Sequence, residues 1–315
     1  MDEFAIIRRF FTPENKGDSV IVGVGDDGAV LRPSPGRDLV SVVDTLVSGV
    51  HYPPHMLPGD VGFRAVAVNA SDIAAMGARP RWMTLAVTMD AAYQGWVEDF
   101  AGGIAHAAST FNIELVGGDL TRGGENVVSV QITGDVEPGT AITRSGAKPG
   151  DSIYVSGTPG DAALGLSLMQ SGGDLDPRLD YLIRRFTQPT ARVELGQAIG
   201  PHASAAIDVS DGLYTDLEKL LAASQVAGCI ELNDVPLSQE LRETVAFDDA
   251  LRFALGGGDD YELCFTVPAE LFGGSAEIAG VKVTRIGYVN EGEGLTCTMD
   301  GQLHEYRDAG YRHFQ

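Results

Sequence analysis

The feature that most constrains this chain is a repeated aspartate beside apolar segments, accompanied by glycine in four of the six cases. The segments are GVGDDG (23–28), VVDT (42–45), NASD (69–72), VGGDLTRG (116–123), AIDVSDG (206–212) and GGGDDYEL (256–263). Glycine permits positive φ and lets a ligand approach the backbone closely. A carboxylate at the end of a strand projects into the cleft where sheet proteins bind ligands. We therefore expect these aspartates to lie at strand or helix ends and to line one cleft.

Several carboxylates in one cleft would repel one another, and without a cation some would take up protons. Mg²⁺ prefers hard oxygen ligands, keeps several waters and bridges carboxylates to phosphates. The pattern thus predicts a nucleotide site with several Mg²⁺ ions. The alternative is that Asp and Gly simply favour turns, which explains any one segment but not the whole set. No calcium loop of the EF-hand type is present in the sequence.

Composition narrows the function classes further. The formal charge is −22, from 22 Lys and Arg against 44 Asp and Glu, which argues against a nucleic-acid partner. No apolar run approaches the ~18 residues of a membrane span. The N-terminus does not fit a signal peptide. Cys229, Cys264 and Cys297 are widely separated, which is typical of reduced thiols in a cytoplasmic protein.

Strand and helix signals alternate in both halves of the chain, which indicates an α/β (α+β) class. In the first half we expect strands at 20–24 and 39–43 and a helix at 60–76, with Asp60 as its N-cap. A stretch with two Pro-Gly pairs suggests a domain boundary. We therefore predict domains at 1–137 and 151–315, joined by a linker at 138–150.

A phosphate-binding loop is expected at SGTPGDA, residues 156–162, where a strand leads into a helix. Glycines free the backbone N–H groups there, and helix N-termini attract phosphate. A plain strand–helix turn explains the same residues equally well. The sequence contains no Walker A motif.

Longer segments around these motifs follow one another between roughly residues 20 and 268. They read GVGDDGAVL, VVDTLVSGVHY, AVNASDIAAMGARPRW, LVGGDLTRG, TRSGAKPGDSIYVSGTPGDAALG, AIDVSDGL and GGGDDYELCFTVP, with GYRHF near the C-terminus. In this combination they resemble the thiamine-monophosphate kinase family, within the aminoimidazole-ribonucleotide-synthetase superfamily of ATP-using enzymes. The resemblance implies two mixed αβ domains of that type and a homodimer formed through the N-terminal domains.

Where the motifs match, the family's metal-binding and substrate-binding residues can be assigned to positions of this chain. The resemblance implies metal contacts at Asp27, Val42, Val43, Asp44, Asp72, Asp119, Asp208 and Asp211. It implies ATP contacts at Gly118, Asp119, Arg144 and Ser210, and contacts with thiamine monophosphate at His51, Asp259 and Tyr311. His51 could instead act as a general base or be a surface histidine. Tyr311 could stack on the thiamine ring or pack the C-terminus.

Two positions depart from the family pattern. The family often has glutamate where Asp259 stands, so the carboxylate is one methylene shorter here. It often has Ser or Thr at the positions of Val42 and Val43. Valine can serve there only if the metal is bound by the backbone carbonyl.

The implied reaction is the transfer of the ATP γ-phosphoryl group to thiamine monophosphate, giving thiamine diphosphate and ADP. A phosphate oxygen is already ionised near neutral pH, so no general base is needed and direct transfer is expected. Two alternatives remain. One is another ATP-dependent synthetase of the same superfamily, and the other is a non-catalytic acidic module that binds metal or nucleotide.

Overall fold

A computed structural model describes residues 2–12, 17–90, 94–171, 179–269 and 271–306. The chain divides into two compact units. The first contains the described residues up to Ile73 together with Ala78–Gly139, and the second contains Ala74–Gly77 together with those from Thr140 onward. The mixture of helices and strands in each unit confirms the α/β (α+β) class.

The first unit is built on a four-stranded sheet in the order β3-β6-β4-β5. Strands β4 and β5 are parallel and the other pairs are antiparallel. A short antiparallel pair, β1 and β2, lies outside this sheet. The elements are α1 (Glu3–Ile6, continued by a π-helical turn Ile7–Phe11), β1 (Val20–Val22), β2 (Val30–Leu31), β3 (Asp38–Val47), α2 (Pro58–Ala75), β4 (Arg79–Met89), α3 (Gln94–Phe111), β5 (Glu114–Arg122) and β6 (Val127–Val136).

One face of this sheet is buried and the other is exposed. On β3, Val40 and Leu46 are buried, whereas Leu39 and Val43, which point the other way, are 53% and 63% exposed. Helix α2 belongs to the buried face, since Ile73 lies against Gly134 of β6. Helix α2 begins at Pro58 rather than Asp60, so the prediction of Asp60 as N-cap is wrong and Asp60 lies in the first turn.

The second unit contains an eight-stranded sheet in the order β14-β13-β9-β12-β7-β10-β8, with β11 paired to β12. Among the described strands of this second sheet, only β13 and β9 pair in parallel. The elements are β7 (Asp151–Ser156), α4 (Asp161–Ser171), α5 (Asp180–Thr187), α6 (Val193–Ile199), β8 (Ala205–Asp208), α7 (Leu213–Ser224), β9 (Ala227–Glu231), α8 (Gln239–Thr244), α9 (Phe247–Gly256), β10 (Leu263–Pro268), β11 (Ser275–Ile278), β12 (Val281–Asn290), β13 (Gly294–Met299) and β14 (Gln302–His304).

The core of the second unit lies between this sheet and helices α7 and α9. Ile207 and Ile230 from the sheet pack in one buried cluster with Leu217 of α7 and Leu255 of α9. This packing fixes the ends of β8 and α9, from which two of the acidic segments start. Within the described ranges, no helix combines the length and apolar character needed to cross a membrane.

Candidate functional site

Two acidic segments of the second unit lie side by side. The segment after β8 and the one before β10 are joined by backbone hydrogen bonds. The Asp259 N–H donates to the Ser210 carbonyl (2.9 Å), and the Tyr261 N–H donates to the Val209 carbonyl (2.8 Å). A Cβ at Gly258 would collide with the Ser210 carbonyl oxygen, so glycine is needed for this approach. The structure therefore brings Ser210 and Asp259 together, with Asp208 at the end of β8, 4% exposed.

The turn after β8 is held by an acidic residue of helix α7 that the motif analysis missed. The buried Asp216 carboxylate accepts the N–H groups of Ser210 and Asp211, both at 2.9 Å. Lys219 donates to Asp216 (2.8 Å) and to Asp211 (2.5 Å). Burial raises the pKa of Asp216, although Lys219 opposes this effect. The i, i+3 spacing of Asp216 and Lys219 could have indicated this ion pair from the sequence.

The expected phosphate-binding loop at 156–162 is occupied by a side chain of the protein itself. The Asp260 carboxylate, with 0% exposure, accepts the N–H of Gly160 (2.7 Å) and the N–H of Ala162 (3.2 Å). Burial holds the pKa of Asp260 well above its usual range, and Arg185 opposes this only in part. Because these two N–H groups are already satisfied, the prediction of a phosphate cradle there is wrong.

Next to Asp260 lies a buried ion cluster, also missed by the motif analysis. Glu262 accepts hydrogen bonds from Arg185 (2.8 Å) and from both Nε (2.7 Å) and Nη2 (2.5 Å) of Arg192. Burial alone would raise the pKa of Glu262, but the two guanidinium groups outweigh it and lower the pKa. No local sequence signal joins these residues, since the arginines lie on and after α5, far from Glu262 in sequence.

In the first unit, Asp44 lies inside β3, so its expected position at a strand end is wrong. Its N–H donates to Oδ1 of Asn69 on helix α2 (2.9 Å). This bond satisfies one outward-facing N–H of β3, which is an edge strand. Asp72 follows Asn69 by one helical turn, so α2 carries it along the same face. The fold thus associates Asp44 and Asp72 with one edge of the sheet.

Asp119 lies at the opposite edge of the sheet, within β5 rather than at a turn, so its expected corner position is also wrong. Cross-strand register aligns Asp44 with Val130, Leu85 and Gly118. Paired residues share a face, so Gly118 shares a face with Asp44 while Asp119 points to the other face. The β3 and β5 backbones are three strand spacings, roughly 14 Å, apart. One ion cannot bind both carboxylates within this unit.

The other predicted residues of the first unit occupy separate places. Asp27 is exposed in the loop between β1 and β2, where its N–H donates to Asp26 Oδ1 (2.9 Å). His51 Nδ1 accepts the Val47 N–H (3.0 Å), so the other ring nitrogen, Nε2, carries the proton of a neutral imidazole. Val42 shares the face of Asp44, and Val43 lies on the exposed face.

In the second unit, Arg144 is exposed, and its carbonyl accepts the Ser224 hydroxyl (2.9 Å). Tyr311 lies outside the described residues.

The donor chemistry of these acidic residues, which offer carboxylate oxygens, fits Mg²⁺. No group of three or more His, Cys, Asp or Glu side chains within the described ranges is arranged to hold a metal ion. Mg²⁺ is typically bound by one or two carboxylates, with water and substrate phosphate completing its shell. Half-buried carboxylates such as Asp44 and Asp72 match that requirement.

Comparison with known proteins gives a consistent result over both units. Residues 25–136 match the family model "AIR synthase related protein, N-terminal domain", and residues 148–300 match the corresponding C-terminal domain. The chain is 43% identical to the thiamine-monophosphate kinase of Escherichia coli K12 over 99% of this chain and 98% of that protein.

Two solved structures are also similar. Thiamine-monophosphate kinase from Stenotrophomonas maltophilia K279a matches with a TM-score of 0.86 and 41% identity, over 96% of this chain and 98% of that one. AaThiL complexed with AMPPCP and TMP matches with a TM-score of 0.80 and 34% identity, over 92% and 91%. The chain therefore belongs to the thiamine-monophosphate kinase family, with the two domains of AIR synthase related proteins.

Proposed function

We propose that this protein transfers the γ-phosphoryl group of ATP to thiamine monophosphate, giving thiamine diphosphate and ADP. The observation that carries the proposal is the similarity, over nine-tenths of the chain, to a structure that holds AMPPCP, an ATP analogue, together with TMP. The pairing of the segments that contain Ser210 and Asp259 supports it, since the first is assigned to ATP and the second to the acceptor. We place the reaction in the cytoplasm, where ATP is available.

Magnesium ions are part of this proposal. Asp27, Asp44, Asp72, Asp119, Asp208 and Asp211 would supply carboxylate oxygens, and Val42 and Val43 backbone carbonyls. Since Asp44 and Asp119 lie on opposite faces of one sheet, they would serve different ions. When bound, Mg²⁺ offsets the repulsion between donor and acceptor phosphates, roughly 4 kcal/mol for two unit charges ~4 Å apart at an effective dielectric of ~20.

The protein's own groups bind and orient the reactants. Gly118, Asp119, Arg144 and Ser210 would contact ATP, and Arg144 can hold phosphate oxygens through two hydrogen bonds. His51, Asp259 and Tyr311 would contact thiamine monophosphate, with the His51 Nε2–H as a donor. An ionised oxygen of the acceptor phosphate forms the new bond to the γ-phosphorus, while the bond from that phosphorus to the β–γ bridging oxygen breaks and ADP leaves. No proton has to be removed, so no general base is assigned.

The decisive experiment incubates the protein with Mg·ATP and thiamine monophosphate and measures thiamine diphosphate and ADP. Equal amounts of both products are expected. ATP labelled in the γ-phosphate should leave no label on the protein, and a stable phospho-enzyme would contradict direct transfer. Turnover of an aminoimidazole precursor instead would favour another synthetase of the superfamily, and metal uptake without turnover would favour a binding module.

We also propose that the protein is a homodimer whose N-terminal units pair through the exposed face of the four-stranded sheet. That face carries Leu39 and Val43, which are large apolar side chains with more than half of their surface exposed. Small polar residues share this face of β3, with Ser41 between the two apolar side chains and Thr45 after Val43. An exposed sheet face with apolar side chains suits a self-complementary interface.

A further inference from the structure

The 257–262 loop (Gly257–Glu262) has an unusual backbone. Asp259 has φ of +70° and Tyr261 has φ of +53°, both in the left-handed region that non-glycine residues rarely adopt. Such conformations persist only when the surroundings hold them in place, and they concentrate at functional sites.

The alternate residues of the loop point inward and act as anchors. Asp260 and Glu262 each have 0% exposure. Asp260 accepts the N–H groups at the start of α4, as described above. Glu262 accepts the Ser156 hydroxyl (2.5 Å) as well as the arginine hydrogen bonds. A Cβ at Gly157, the residue directly after β7, would collide with the Glu262 carboxylate, so glycine is needed there to leave room for this side chain.

Arg185 connects the two anchors, and Arg192 binds one of them, Glu262. Arg185 donates through Nη2 to the Asp260 carbonyl (3.0 Å) and to Glu262 Oε1 (2.8 Å). Arg192 holds both oxygens of Glu262, through Nε and Nη2, in a bidentate pair. The cluster therefore fixes the backbone on the C-terminal side of Asp259. Tyr261 reaches back from the same segment, since its hydroxyl donates to Asp259 Oδ1 (3.4 Å).

We infer that Glu262, clamped by Arg185 and Arg192, is a positioning residue that sets the place of the Asp259 carboxylate for the acceptor substrate. The inference rests on the proposed function, in which Asp259 contacts thiamine monophosphate. In this proposal Glu262, Arg185 and Arg192 do not touch the substrate. They act by fixing the 257–262 loop. Because the Asp259 carboxylate is one methylene shorter than the family's usual glutamate, its backbone position matters more for reach.

The first test is Arg192→Lys, which keeps the charge but cannot hold both oxygens of Glu262 in a planar pair. The KM for thiamine monophosphate is expected to rise about tenfold, and the KM for ATP to stay within about twofold, because weakened ground-state binding of one substrate raises only its own KM. Ile230→Ala is the control, since Ile230 is buried in the same unit on β9, three strands from β10. It should lower thermal stability without changing either KM. Equal changes in both KM values for Arg192→Lys would overturn the inference.

The second test is a double-mutant cycle with Asp259→Asn. If Arg192 acts through Asp259, the double variant should have the same KM for thiamine monophosphate as Asp259→Asn alone, within about twofold. If the increase in KM for the double variant equals the product of the two single increases, Arg192 acts independently of Asp259. That result would contradict the inference.

Amide hydrogen exchange of the loop separates this inference from the proposed function. In Arg192→Lys, the Asp259 and Tyr261 N–H groups should exchange at least tenfold faster, while β9 amides stay unchanged. Unchanged exchange of the loop would overturn the positioning role, whatever the turnover. Lack of turnover of thiamine monophosphate by the unmodified protein would overturn the proposed function, even with faster exchange in the variant.

Discussion

At the scale of single residues, substitution of Asp72 tests the proposed binding of Mg²⁺ most directly. Asp72→Asn keeps the size of the side chain but removes its charge, so turnover should fall by about 100-fold or more while the protein stays folded. Steady-state rates at saturating Mg·ATP and thermal unfolding curves measure both effects. Asp99→Asn, on the exposed surface of helix α3, is the matched control and should behave like the unmodified protein. A near-normal rate for Asp72→Asn would remove Asp72 from the metal site.

The lowered pKa of Glu262 predicts that the free energy of unfolding depends on pH. Its folded pKa is lowered below the ordinary value of 4.5 by Arg192 and Arg185, which outweigh the effect of burial. Its contribution is therefore fully present above pH 4.5 and is lost as the pH falls through the lower, folded pKa. Glu262→Gln should cost about 3–5 kcal/mol near neutral pH, because it leaves the buried Arg185 and the half-buried Arg192 without their carboxylate.

Urea unfolding of Glu262→Gln and of the unmodified protein between pH 7 and pH 3 tests this prediction. The difference in their free energy of unfolding should be constant above pH 5 and should shrink below pH 4.5. A difference that grows in acid would mean that the folded-state pKa is raised.

At the scale of elements, the close approach of the 257–262 loop to the turn after β8 depends on Gly258. A methyl group in Gly258→Ala would collide with the Ser210 carbonyl and push the two segments apart. We expect a loss of about 1–3 kcal/mol of stability, typical of overpacking, and weaker binding of both substrates, because Ser210 and Asp259 both move. Gly273→Ala is the control, since nothing lies within 4 Å of the added Cβ. Calorimetric titration with each substrate would show whether only Gly258→Ala weakens binding.

The elements also show how far the sequence could predict this site. Helix α2 was predicted at 60–76 and observed at Pro58–Ala75, because its apolar residues follow the helical period. The aspartates at 44 and 119 were expected at strand ends but lie inside strands. Asp favours turns, and the two glycines before Asp119 add to that local preference, but pairing with β6 and β4 overrides it.

The anchors of the candidate site were not predictable from local signals. Glu262 meets Arg185 and Arg192 only because β10 pairs with β7 and because α5 packs near the loop. The pairing of β10 with β7 also brings Asp260 to the 156–162 segment. Its carboxylate accepts the Gly160 N–H that was expected to bind phosphate. The motif order identified the chemistry, whereas the contacts that fix the loop follow from tertiary structure.

At the scale of the whole molecule, the exposed sheet face of the first unit leads to a prediction about assembly. If two copies pair through this face, Leu39→Glu places a charge in the interface and should convert the dimer to a monomer, because a buried unpaired carboxylate is costly. Sedimentation equilibrium measures the mass of each species. Leu303→Glu is the matched control, since Leu303 is 75% exposed on β14 of the second unit and should leave the mass unchanged. A Leu39→Glu variant that stays dimeric would show that the subunits pair through another surface, and an unmodified monomer would end the proposal of a homodimer.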